Sequence, residues 1–131
     1  MELEPTSNHT RDILDWHRKN GGHNDRPAGV ALILLGEAVE LAIKAGATPT
    51  EIKAAIGTEL IKARDRHEDT GFFQATSVGE ECADVGILLL LFSKLNNIPL
   101  ADEIEEKLIV LNHREYEPNS WGALTRKRTP R

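Results

Sequence analysis

Glu37 and Glu40 stand three residues apart within LLGEAVEL, and Glu81 and Asp84 repeat that spacing within EECADVGILLLLF. In a helix, positions i and i+3 share a face, so each pair projects two carboxylates together. Ile33, Glu37, Glu40 and Lys44 form one helical stripe, flanked by Leu34 and Leu41. Glu81, Asp84, Leu88 and Leu91 form another, flanked by Val85. Both pairs therefore sit on or beside a face expected to be buried. A buried charge without a partner costs several kcal/mol or shifts its protonation. A hard divalent cation resolves the conflict of four such acids. Mg²⁺ and Mn²⁺ take oxygen ligands, typically a few carboxylates with waters and phosphate oxygens. The plainer alternative is a pair of exposed acidic faces with no ligand.

Iron fits less well. Ferritin-like di-iron bundles use Glu-x-x-His on their helices. None of the five histidines, His9, His17, His23, His67 and His113, lies three residues after a glutamate.

The elements that must carry these acids read as helices. Residues 1–9 read as a flexible N-terminus, and a short helix follows from Arg11 to about Lys19, with Thr10 as N-cap. Asn20-Gly21-Gly22 stops it. A second helix runs from about Ala28 to Ala45 and ends at Gly46. Thr48-Pro49-Thr50-Glu51 is a capping box with proline at the first helical position. It opens a third helix that reaches about His67. Ser77 to Glu80 reads as another capping box, ahead of a fourth helix from Val78 to about Asn96. A fifth spans roughly Ala101 to Tyr116, and Pro118 ends it. No segment alternates cleanly as a strand does. The pattern predicts an all-α, multi-helix bundle of about five helices in one domain over 10–117, followed by an extended basic tail over 118–131.

Composition narrows the function. The chain has 131 residues, 16 basic and 21 acidic, for a net charge of −5. Four of the basic residues, Arg126, Lys127, Arg128 and Arg131, fall in the last six positions. The body is more acidic still, which argues against stable nucleic-acid binding, since that needs a cationic face. Cys82 is the only cysteine, so no internal disulfide forms, and the residue reads as a small buried hydrophobe. That usage fits a reducing cytoplasm. The start MELEPTSNHT is unlike a signal peptide. The longest unbroken apolar run, Ile87 to Phe92, is six residues, too short to span a membrane. There is no GxxxxGK[ST] loop to cradle phosphates.

LLGEAVEL followed by EECADVGILLLL resembles the MazG-type, all-α nucleoside triphosphate pyrophosphohydrolases. The resemblance covers about residues 10–117 and includes a downstream basic and amide-rich stretch, EKLIVLNHREYEPNSWG. It implies that Glu37, Glu40, Glu81 and Asp84 bind Mg²⁺, with Mn²⁺ as a substitute. It implies catalytic and phosphate-neutralising roles for Lys107 and Arg114, and a substrate or metal-side contact from Asn112, whose alternative is a local helix contact. It implies hydrolysis of a nucleoside or deoxynucleoside triphosphate between the α and β phosphates, giving the monophosphate and pyrophosphate, in a homodimer or homotetramer. The chain departs from the common pattern in three places. Gly36 stands where many members have a second glutamate, although the dCTPase-like branch also has glycine there. Forty residues lie between Glu40 and Glu81, a long separation for the family. Lys107 and Asn112 are five apart, so they need not share a helix face.

A nucleobase needs a flat, partly apolar slot. Trp16, His17, Phe72 and Phe73 are candidates, against the alternatives of core packing for Trp16 and, for His17, a surface role or a place behind the residues that touch the ligand. Trp121 lies beyond the fifth helix. Two other readings stay open: a catalytically inactive helical dimer with a binding or regulatory role, and a phosphoribosyl-ATP pyrophosphatase-like enzyme.

Overall fold

A computed structural model describes residues 4–70 and 76–127, with the side chains of residues 23, 66–70 and 76–77 outside the description. Its helices are α1 (Ser7–Lys19), α2 (Pro27–Lys44), α3 (Pro49–Thr70), α4 (Thr76–Leu95) and α5 (Leu100–Leu111). A 3₁₀ turn, Gly22–Asn24, precedes α2, and two short strands, β1 (Tyr116–Pro118) and β2 (Leu124–Arg126), close the order. The architecture is all-α in its bulk, with the expected five helices. The chain divides into two compact units, Met1–Ile33 with Val85–Arg131, and Leu34–Asp84. The sequence pointed to one domain.

Local chemistry explains most boundaries. At the start of α3, the Thr48 backbone N–H donates to Glu51 Oε1 at 2.9 Å and the Glu51 N–H donates to Thr48 Oγ1 at 3.2 Å. That is the expected capping box, and it satisfies two amides that the helix leaves open. Hydrogen bonding to the Glu51 carboxyl, first from the Thr48 backbone N–H and then from the Thr48 hydroxyl, holds it below its ordinary value of 4.5. α2 ends with Gly46 at φ 103°, where Ala47 N–H reaches back to Ala42 O at 2.9 Å. α4 ends the same way on Asn97, φ 55°, with Ile98 N–H on Ser93 O at 2.8 Å. Both are left-handed C-caps.

Three boundaries differ from the sequence reading. α1 begins at Ser7 with Thr6 as N-cap, where the sequence pointed to a start at Arg11 with Thr10 as the cap. The residue three beyond the cap is His9, whose Nδ1 accepts the Thr6 N–H at 2.9 Å. α5 stops at Leu111 rather than Tyr116, with Asn112 as its C-cap. The Asn112 amide donates to Leu108 O at 2.9 Å, offering that carbonyl a side-chain partner at the helix end. The segment from 116 to 126 is an antiparallel hairpin pairing Tyr116 with Arg126 and Pro118 with Leu124, where an extended tail was expected from 118. Asn119 organises its turn: its Oδ1 accepts the N–H groups of Trp121 at 2.9 Å and Ala123 at 3.1 Å. Ser77, read as an N-cap, lies inside α4, and its side chain is outside the described residues.

In the larger unit the hairpin turn sits on the start of α2. Arg26 N–H donates to Gly122 O at 2.6 Å and Arg26 Nη1 to Trp121 O at 3.2 Å. Gly29 is a glycine because any Cβ there would overlap Trp121 O. α1 packs on α5, where Ala101 is fully buried. Among the described residues the buried hydrophobic set is Ala101, Ala123 and Leu124 alone. No single helix among them is long and apolar enough to cross a membrane.

Candidate functional site

Glu37 and Glu40 ride on α2, and Glu81 and Asp84 on α4, so helical spacing brings each pair to one face as expected. All four belong to the Leu34–Asp84 unit. All four are exposed. So are their apolar neighbours Leu34, Leu41, Val85, Leu88 and Leu91. The single chain therefore does not bury the two stripes. Both carboxylate pairs and these apolar flanks stay open to solvent among the described residues. Among the described residues, no three acidic, histidine or cysteine side chains gather closely enough to hold a metal ion. The pairs are formed locally, and their convergence is not. Cys82, expected to be buried, is exposed.

The downstream motif is dispersed over three backbone states. Lys107 lies on α5 and is exposed. Asn112 is the C-cap, with its amide donor already given to Leu108. Arg114 lies beyond the helix, partly buried, its N–H on Leu111 O at 3.1 Å. Neither Lys107 nor Arg114 forms an ion pair with any described residue.

Trp16 and Asn112 are brought together. They line one groove of about 470 Å³ between α1 and α5, with Asp12, Asp15, Glu105 and Lys19 around them. The Trp16 ring meets Tyr116 edge-on, ring centres 5.0 Å apart. Its Nε1 is buried with no hydrogen-bond partner among the described residues. Three carboxylates against one ammonium make this groove unsuited to a triphosphate, whose charge they repel. It suits an uncharged ring or a cation.

His17 is half-buried. Its Nε2 lies 3.0 Å from Asp25 Oδ2, and that same oxygen accepts the Leu124 N–H at 3.2 Å. Gly22 lies against the imidazole so closely that a Cβ would overlap the ring. The sequence reading used Gly22 only as part of the helix stop Asn20-Gly21-Gly22 and gave Asp25 no role. Asp25 follows Gly22 by three residues, and only the fold shows that both meet the His17 ring. Phe72 and Phe73 lie outside the described residues. No family model, curated protein or solved structure matches the chain.

Proposed function

We propose that the protein is a Mg²⁺-dependent nucleoside triphosphate pyrophosphohydrolase acting as a homo-oligomer. The observation that carries this reading is the repeated pair, Glu37 with Glu40 on α2 and Glu81 with Asp84 on α4: four exposed carboxylates in one compact unit. The donor set is all oxygen, which fits a hard divalent cation. When bound by those four residues, the cation supplies polarisation of phosphoryl oxygens. A carboxylate oxygen not committed to the ion accepts a proton from the attacking water. The water oxygen bonds to the α-phosphorus as the bond to the bridging oxygen breaks, and pyrophosphate leaves. Lys107 and Arg114 provide cationic charge for the phosphates, Arg114 in a bidentate way. Trp16 offers an aromatic face for the base.

Oligomerisation is supported by α4. Ile87, Leu88, Leu89, Leu90 and Leu91 are all exposed. Five consecutive helical positions cover more than a full turn. A helix apolar all round needs covering on every side, and a second copy provides it.

A second reading, a non-catalytic helical binding protein, is favoured by the absence of a gathered metal cluster among the described residues. One experiment separates the two. Ribo- and deoxynucleoside triphosphates are incubated with Mg²⁺ and scored for pyrophosphate. Release that disappears in Glu40→Gln supports the enzyme. No release from any nucleotide leaves the binding protein.

A further inference from the structure

The groove between α1 and α5 lies wholly within the larger unit. Asp12, Asp15 and Trp16 line its α1 side, and Glu105, Leu108 and Ile109 its α5 side. Its negative charge is incompletely answered. Asp15 has no ion-pair partner among the described residues. Asp12 has a loose one, Arg11 Nε at 3.7 Å, with both side chains exposed. Glu105 is engaged by His9 through Oε1. Lys19, the cation of the lining, stands about two helical turns from Asp12. Ile109 is 63% exposed. An occupant that suits this groove carries positive charge and apolar surface together.

A basic segment of the same chain leaves the hairpin beside it. Tyr116, whose ring meets Trp16 edge-on, pairs with Arg126. Directly opposed residues of an antiparallel pair project from one face, about 5 Å apart, so Arg126 lies on the Trp16 side of the hairpin. Lys127 N–H donates to Glu115 O at 2.8 Å, which fixes the chain up to the last described residue. Arg128-Thr129-Pro130-Arg131 follows. Four residues span up to about 14 Å when extended, and Asp12 is only about 6 Å along α1 from Trp16. With its long side chains, the segment has the length to reach both aspartates.

We propose that Arg128 to Arg131 folds back into the α1–α5 groove of its own chain, with guanidinium groups on Asp12 and Asp15 and apolar parts over Leu108 and Ile109. Arginine answers both halves of the lining: its fork matches a carboxylate, and its stem covers apolar surface. Exposed ion pairs are individually weak. The short tether offsets that, because it holds the segment at an effective concentration of about millimolar. Seated there, the cations of the segment are engaged by the protein's own carboxylates rather than offered to a polyanion.

The test is NMR on the full chain at low salt. Side-chain protons of Arg128 and Arg131 should show NOEs to the Leu108 and Ile109 methyls. The amides of Arg128, Thr129 and Arg131 should relax like those of the hairpin. Asp12→Asn combined with Asp15→Asn should remove the NOEs and loosen those amides. So should about 0.5 M NaCl on the wild type, because exposed charges are screened. Glu103→Gln, which removes an exposed acid outside the groove, should change nothing. A wild type without the NOEs at low salt, or NOEs that persist unchanged in the double variant or in NaCl, overturns the proposal. NOEs found only between chains, in a mixture of labelled and unlabelled protein, place a second copy's segment in the groove and overturn docking within one chain. Segment signals that move only when a dT oligonucleotide is added make the segment a polyanion contact and overturn it too. The salt titration needs no variant, so it decides the matter even where the double variant does not fold.

Discussion

His9 and Glu105 tie α1 to α5: Nε2 of an imidazole with 4% of its side chain exposed lies 2.7 Å from Glu105 Oε1. The other ring nitrogen accepts the Thr6 N–H at 2.9 Å. One side chain therefore caps a helix and joins it to another. His9→Ala should cost about 1–3 kcal/mol, because the Thr6 amide loses its partner and the imidazole leaves a void. His9→Gln should be milder, since glutamine at this position also serves a capping box. Urea unfolding checks both. A glutamine variant no better than alanine would show that the cap contributes nothing.

The Thr48–Glu51 box makes a pH-dependent prediction. The Glu51 carboxyl is held below its ordinary value of 4.5 by the Thr48 backbone N–H first and its hydroxyl second. A lowered folded-state value means the ionised form favours the folded protein. The stabilisation is present above the unfolded value and fades as pH falls through the lower folded one. Wild type should melt above Glu51→Gln at pH 7, and the gap should close towards pH 3. Thr48→Ala should cost about 1 kcal/mol at neutral pH. A gap that is constant from pH 7 to pH 3 contradicts the assignment.

These two caps show what was legible in the sequence. Thr48-Pro49-Thr50-Glu51 was readable because every interaction in it is local. The equivalent box at Thr6 was not, because its third residue is histidine rather than Glu or Gln, and because Glu105, which fixes that histidine, lies 96 positions away. The hairpin escaped because each strand is three residues long, too short for alternation to register. Its docking depends on Gly29 and Arg26, which look like ordinary helix-start residues. The carboxylate pairs were legible because i, i+3 spacing is local, but their convergence is a matter of tertiary packing, and no pattern within α2 or α4 encodes it. The expected burial failed for a related reason: apolar flanks predict that a face will be covered, not that the same chain covers it.

The exposed apolar run on α4 should set the association state. Sedimentation at micromolar concentration should give a multiple of the 14.5 kDa chain mass. Leu88→Glu and Leu89→Glu should shift the protein towards monomer, because a carboxylate buried at an interface is costly to desolvate. A wild-type monomer at that concentration would sink the oligomer.

Glu40→Gln and Asp84→Asn should each lower kcat at least a hundredfold without unfolding the protein. Each keeps side-chain shape and removes one charge, and electrostatic groups of this kind are worth roughly 3 kcal/mol in the transition state. Cys82→Ser should retain wild-type rate, as the lone thiol is no part of the proposed chemistry. Full activity in either carboxamide variant means the acids are surface decoration.

Metal binding should also be visible without turnover. The four carboxylates carry like charge, and those of each pair are neighbours on one helix face. A divalent cation that draws them together binds the folded chain and has little affinity for the unfolded one. It should stabilise the fold by about 2.7 kcal/mol at a hundredfold excess over Kd, a rise of several degrees for a domain of this size. Glu40→Gln and Asp84→Asn remove ligands and should reduce the rise. Lys107→Gln should not, because it touches only phosphate in this scheme. That contrast separates a specific site from general screening of an acidic protein, which would respond to NaCl at matched ionic strength as well as to Mg²⁺. The measurement is a set of thermal melts in EDTA, in NaCl and in millimolar Mg²⁺ for the wild type and the three variants. Equal melting temperatures in EDTA and Mg²⁺, or equal rises in all four proteins, would remove the case that Glu37, Glu40, Glu81 and Asp84 act together on one ion.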